Sequence, residues 1–154
     1  MTALIVKGVL FLALLITAAV WDIKKREIPD LIPLALLPVG CIGITLSSLP
    51  TALLGAAVTA LPYFIAAVAV RRGGFAVGGG DIKLTAGCGF VLGVWGGIVQ
   101  SIAALTAAVL AGVIVAAVRK KKYREVRIPL APCFCAGGIL AYPAVFAMAY
   151  TAII

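Results

Sequence analysis

Two aspartates, Asp22 and Asp81, are the residues of this chain best suited to chemistry. The chain has five acidic residues against thirteen lysines and arginines, no histidine, and a 64% hydrophobic composition. Asp81 follows a glycine run, Gly78-Gly79-Gly80, and opens a long apolar segment that begins Ile82-Lys83-Leu84. An ionisable group at membrane depth is a functional hypothesis by default. Three glycines remove side-chain bulk and permit unusual backbone angles, so another chain can approach beside Asp81. A helix starting there would favour the carboxylate with its N-terminal amides. The residues also allow a plainer reading, a flexible interhelical loop with Asp81 as a helix N-cap. Asp22 heads the polar cluster Asp22-Ile23-Lys24-Lys25-Arg26-Glu27 after the first apolar stretch. Two carboxylates a few Å apart cannot both ionise easily and tend to share one proton. Such a pair can deprotonate a water and protonate a peptide carbonyl or leaving amine, the chemistry of aspartic peptide hydrolysis. Spacing alone does not prove that they meet, and Asp22 also reads as a helix-end cap paired with Lys25 or Arg26.

The elements that must position these residues lie in lipid. Mean hydropathy is +1.24 over 154 residues, far above a soluble domain. Without water to satisfy the backbone, spanning elements are helices of about 20 residues, and the apolar runs lack the alternation of a barrel. The expected fold is all-α, a single polytopic membrane domain over residues 1–154 with six transmembrane helices. The first runs from Thr2 to Trp21, interrupted by Lys7; its length and early lysine also suit a signal peptide, but further apolar segments follow at once. The second runs from Pro29 to Leu46, bent at Pro33 and Pro38. After Ser47-Ser48-Leu49-Pro50 comes a third, from Thr51 to Val70. The fourth starts at Asp81 and lasts to Trp95, with Gly96-Gly97 as the tight turn into a fifth that ends near Val118. The sixth runs from Ile128 to the C-terminus, broken by Pro132 and Pro143.

Loop charges set the orientation. The first loop carries Lys24, Lys25 and Arg26, the third Arg71 and Arg72, and the fifth six basic residues between Arg119 and Arg127, while loops two and four carry none. Lys and Arg accumulate in short cytoplasmic loops, so the odd loops face the cytoplasm and both termini lie on the extracytoplasmic side. This explains the net charge of +8 without nucleic acid, and gives anionic lipid headgroups a basic face to meet. Asp22 and Asp81 then share the cytoplasmic depth.

Those residues carry a family likeness. Gly78-Gly79-Gly80-Asp81, a GxGD motif opening a helix, resembles the second catalytic motif of the type IV prepilin peptidases. Asp22 followed by basic residues and Ile28-Pro29 is similar to the first, and Ile128-Pro129-Leu130-Ala131-Pro132 with Gly137-Gly138 resembles the family's proline and glycine pattern in the last helix. The resemblance covers nearly the whole chain in order. It implies a membrane aspartic endopeptidase that removes a short basic leader ending in glycine from prepilins or pseudopilins, in a bacterial or archaeal cytoplasmic membrane. Asp22 and Asp81 would be its catalytic residues. Gly78 and Gly80 would admit substrate backbone or let the loop move, and Glu27, Asp30 and Glu125 would attract the leader's basic residues. Lys83 would tune Asp81 electrostatically or snorkel to the interface.

The chain departs from the larger bifunctional members, which insert a cytoplasmic domain with paired CxxC motifs and also methylate the new N-terminus. It is similar to the short peptidase-only members that serve Flp/Tad pili, so methyl transfer is not expected. Presenilin and signal peptide peptidase, which share the GxGD motif, carry Tyr-Asp and Pro-Ala-Leu where this chain has Trp21-Asp22 and no Pro-Ala-Leu. Cys41, Cys88, Cys133 and Cys135 are scattered through apolar segments; without a second pair or histidine they do not make a zinc site and are expected as buried small hydrophobes. No cofactor is expected. Gly87, Gly89 and Gly93 are expected as helix-packing surfaces. The rival reading is a small ion- or proton-coupled transporter using the same aspartates. Transporter carboxylates belong near the bilayer midplane, however, and these two sit at one surface.

Overall fold

The computed structural model describes residues 2–69, 78–120 and 129–151, all of them helix or connecting turn. Among the described residues five helices follow in order: α1 (Thr2–Lys25), α2 (Leu31–Cys41), α3 (Leu49–Ala69), α4 (Gly79–Arg119) and α5 (Ala131–Thr151). α1, α3 and α4 are each long and apolar enough to cross a membrane, and α2 and α5 contribute shorter apolar stretches. Arg71, Arg72, Glu125 and the basic run from Lys121 to Arg127 lie outside the described residues.

Several boundaries differ from expectation. α1 does not stop at Trp21 but continues through Asp22 to Lys25. Lys24 and Lys25 occupy its last turn, where the helix dipole favours cations, and the Lys25 ammonium sits 4.7 Å over the Trp21 ring. The helix closes at Arg26, whose φ of 55° is left-handed and whose amide donates to the Asp22 carbonyl at 2.8 Å. That geometry is the αL helix stop, normally filled by glycine. α2 is shorter than expected, ending at Cys41 because Gly43 turns the chain at a φ of 72°. The following turn is tied by hydroxyl and amide bonds among Thr45, Ser47 and Ser48.

The turn expected at Gly96-Gly97 is instead a single-residue break at Gly93, with φ 70° and ψ −174° inside α4. A Cβ placed on Gly97 would lie 3.2 Å from the Gly89 Cα. Eight residues of straight helix would separate these positions by about 12 Å. The chain therefore doubles back at Gly93, and 79–92 and 94–119 pack side by side. The predicted fourth and fifth helices are both present, joined without a loop.

In lipid, helix association depends on close approach of small residues and on hydrogen bonds more than on apolar burial. α3 meets α4 in that way. A Cβ on Gly89 would run into the Gly55 carbonyl and the Thr59 hydroxyl, and one on Gly55 into the backbone of Gly89 and Gly93. The buried Thr59 hydroxyl lies 2.8 Å from the Gly55 carbonyl and 3.0 Å from that of Thr85 across the interface. Gly87 packs on Leu36 of α2 and the Gly93 backbone lies against Gly55, so Gly87, Gly89 and Gly93 are packing surfaces as expected, although a Cβ on Gly93 itself would meet nothing within 4 Å. α5 docks on the second half of α4 through Gln100, which is 1% exposed and donates to the Phe134 carbonyl at 3.0 Å. Phe11, Leu15, Leu36, Leu84 and Phe134 form the centre of the core. In α1, Lys7 donates 3.1 Å to the Gly40 carbonyl near the end of α2, which gives an intramembrane ammonium a partner at a negative helix end. Cys88, Cys133 and Cys135 are buried; Cys41 is exposed, contrary to expectation, and all four are free.

Candidate active site

The site forms where the end of α1, the start of α4 and the start of α5 converge. Asp22 stands in the last turn of α1, only 7% exposed, so its carboxylate needs a partner. It finds one 109 positions away: its Oδ2 accepts from the backbone amide of Ala131 at 2.9 Å. Ala131 is the first residue of α5 and is fully buried. α5 follows Leu130, which has no polar side chain to cap it, and Asp22 does so from another helix. Asp22 is thus a helix cap, but not of its own helix, and it forms no ion pair with Lys25 or Arg26; among the described residues the one salt bridge is elsewhere.

Asp81 is at the third position of α4 rather than at its cap, which is Gly78. The Gly78 amide donates back to Asp81 Oδ2 at 3.2 Å, the arrangement of a capping-box carboxylate. The expected glycine roles separate by position. A Cβ on Gly80 would come within 3.1 Å of the Ile28 Cβ, so the bare backbone there lets the link after α1 lie against α4. A Cβ on Gly78 would sit 3.3 Å from Asp81 Oδ2, whereas one on Gly79 would meet nothing within 4 Å.

Asp22, Asp81, Arg26, Glu27, Ile28, Gly78, Gly79 and Gly80 line one cavity of about 310 Å³. That is near the lower end of small-ligand sites, roughly 300–1,000 Å³. Arg26, Glu27, Gly78 and Gly79 are exposed and Asp22 is buried, so the cavity runs from the surface in to that carboxylate. Both aspartates, two glycines of the motif and Glu27 are brought together. Asp30 and Lys83 are not in this lining. Lys83 does not reach Asp81: its Nζ lies 2.7 and 2.8 Å from the two carboxylate oxygens of Asp30. Positions two apart on a helix do not face each other, so Lys83 and Asp81 project differently. Glu125 lies outside the described residues. From the sequence, Arg26 and Ile28 are named beside Asp22 without being assigned a place in the site, and the Ala131 amide is missed. A basic residue just after a helix end hints at Arg26, but no residue type marks a backbone amide as a partner.

A cavity lined by one carboxylate on a buried amide and a second at a helix start has the parts for acid–base work on a water and a peptide bond. Comparisons with known proteins bear on the family of the chain. A model of the type IV leader peptidase family matches residues 9–117, a span that includes both aspartates and the glycine run. The prepilin leader peptidase/N-methyltransferase of Bacillus subtilis (strain 168) is 41% identical over 140 residues, which cover 88% of this chain and 54% of that protein. The chain thus spans about half the length of the relative. No solved structure matches it. With a family model over most of its length and a relative of this identity, the chain belongs to the type IV leader peptidase family.

Proposed function

We propose that this chain is a membrane aspartic endopeptidase that cleaves the short basic leader from prepilins or pseudopilins, with Asp22 and Asp81 activating water. The observation that carries this is the lining of one cavity by both aspartates, in a chain that belongs to a leader peptidase family. One aspartate, ionised, takes a proton from water as the oxygen attacks the carbonyl carbon, while the other, protonated, donates its proton to the carbonyl oxygen; as the tetrahedral intermediate collapses and the C–N bond breaks, the first gives its proton to the leaving amine and the second takes one back from the hydroxyl. The physical setting suits a helical substrate, whose peptide bonds must unwind before attack. The membrane boundary is where water can satisfy the freed backbone. In this reading six spans, counting both halves of α4, place the cavity at the cytoplasmic face and both termini outside. Basic residues on that face would meet anionic lipid.

Methyl transfer is not part of the proposal. Only residues 26–30 separate α1 from α2, which leaves no room there for the cytoplasmic insertion of bifunctional members.

The test is cleavage of a membrane-embedded pilin precursor by the purified protein, compared with Asp22→Asn and Asp81→Asn variants of normal insertion. Asparagine keeps the shape and removes the proton chemistry. The wild type should release the leader after its glycine, and each variant should lose about a hundredfold or more of the rate, as expected for a lost general acid or base. Full cleavage by both variants would remove these residues as catalysts. Cation flux through the wild type in vesicles without cleavage would favour the transporter reading instead.

A further inference from the structure

We propose that Lys83 and Asp30 form a clasp that holds the 26–30 link along the first turns of α4 and so sets the spacing between the cavity walls carrying Asp22 and Asp81. Two contacts in register define it. Ile28 lies on the bare backbone of Gly80, and Asp30, two residues further along the link, takes Lys83, three residues further along α4. Positions three apart share a helix face, so the link is docked along one side of α4. Glu27 and Ile28, immediately before the clasp, line the cavity, and Ile28 also packs on the core. Neither Lys83 nor Asp30 lines it, which makes them positioning residues rather than catalytic ones.

The placement of Lys83 argues for a purpose. A cation near a helix N-terminus opposes the dipole, so the ammonium there needs an anion from elsewhere. Asp30 supplies it through both carboxylate oxygens, at 2.7 and 2.8 Å. With side chains 55% and 74% exposed, the pair is screened by water, and it acts by holding geometry more than by adding stability. The clasp deepens the peptidase reading and rests on it.

Two measurements test it separately from that reading. A carbodiimide joins a carboxylate to an ammonium in direct contact, taking up the lost oxygen as its urea, so the treated protein should yield an Asp30–Lys83 isopeptide by mass spectrometry; Lys83→Gln should not. In prepilin cleavage, Lys83→Gln and Asp30→Asn should each lower kcat about two- to fivefold, the range of an exposed pair, with KM little changed. The charge-swapped double variant, Asp30→Lys with Lys83→Asp, should recover most of the rate. Salt raised from about 0.1 M to about 1 M shortens the screening length from about 10 to 3 Å and should slow the wild type while leaving the single variants flat. Absence of the cross-link overturns the clasp, as do single variants with wild-type kcat or a swap that fails to recover. A cross-linked wild type that cleaves no prepilin supports the clasp and overturns the peptidase reading.

Discussion

Gly80 is where one added methyl group probes the packing of the site. Its Cβ would approach a branch-point carbon of Ile28 to 3.1 Å, and that carbon is fixed to the link backbone, so the link must shift by a few tenths of an ångström. Gly80→Ala should therefore slow prepilin cleavage by several-fold without loss of insertion, and Gly80→Val should slow it further, the cost of overpacking being about 1–3 kcal/mol. Gly79→Ala, whose methyl would enter open space, should cost less than Gly80→Ala in the same assay. The reverse order would mean that the link does not dock on Gly80. At this scale the sequence is legible where composition makes a residue rare: two of five acids stand at ends of apolar runs, and both line the cavity. It is silent where a partner is chosen by folding. Lys83 is nearest to Asp81 in the chain but bonds to Asp30, 53 positions away. Helical projection decides between them, and the projection depends on where α4 begins.

α5 is the element that holds Asp22, and its first residue allows an unusually clean test. Proline is tolerated at the first helical position because that amide has no partner within the helix. Ala131→Pro keeps the helix start and deletes the one donor to the Asp22 carboxylate among the described residues. A hydrogen bond to a charged group contributes roughly 1.5–3 kcal/mol, so cleavage should fall by about ten- to a hundredfold if the bond is needed in the transition state. Ala131→Val keeps the amide at comparable bulk, and it should retain more activity with equal helix content by circular dichroism. Equal activities would show that the amide is dispensable. α4 poses a different question. Gly93 holds angles open essentially to glycine alone while the space a Cβ would enter is empty, so Gly93→Ala carries a backbone penalty with no steric one. Thermal unfolding in detergent should show a loss of about 1–3 kcal/mol. Gly96-Gly97 is the stronger turn signal in the sequence, yet both residues are buried inside the second half, where Gly97 meets Thr59 and Gly96 meets Val145. A reversal needs one residue with positive φ, whereas tight packing needs bare surface, and glycine serves both, so the letters alone do not separate the two uses.

At the scale of the molecule, the question is which side of the bilayer the cavity faces. The ends of α1 and the starts of α2, α4 and α5 gather at one end of the bundle with Lys24, Lys25, Arg26 and Lys83, while the turn after α2, from Ile42 to Ser48, carries no charge. The cost of moving fixed cations across the membrane against the resting potential favours the charged end inside. Much of the charge used for the orientation falls on Arg71, Arg72 and the run to Arg127, outside the described residues, so orientation calls for a direct probe. Leu46 is 93% exposed in the uncharged turn, and Glu27 is exposed at the mouth of the cavity. In a Cys41→Ser background, which leaves three buried thiols, single cysteines at these positions can be challenged with a membrane-impermeant maleimide. Glu27→Cys should be labelled only in inverted vesicles and Leu46→Cys only in spheroplasts. The opposite pattern would put the cavity on the outer face, where a cytoplasmic leader could not reach Asp22 and Asp81, and cleavage from the inner side would require another site. Labelling of both from one side would overturn the proposed six-span arrangement, in which a crossing by α2 would separate them.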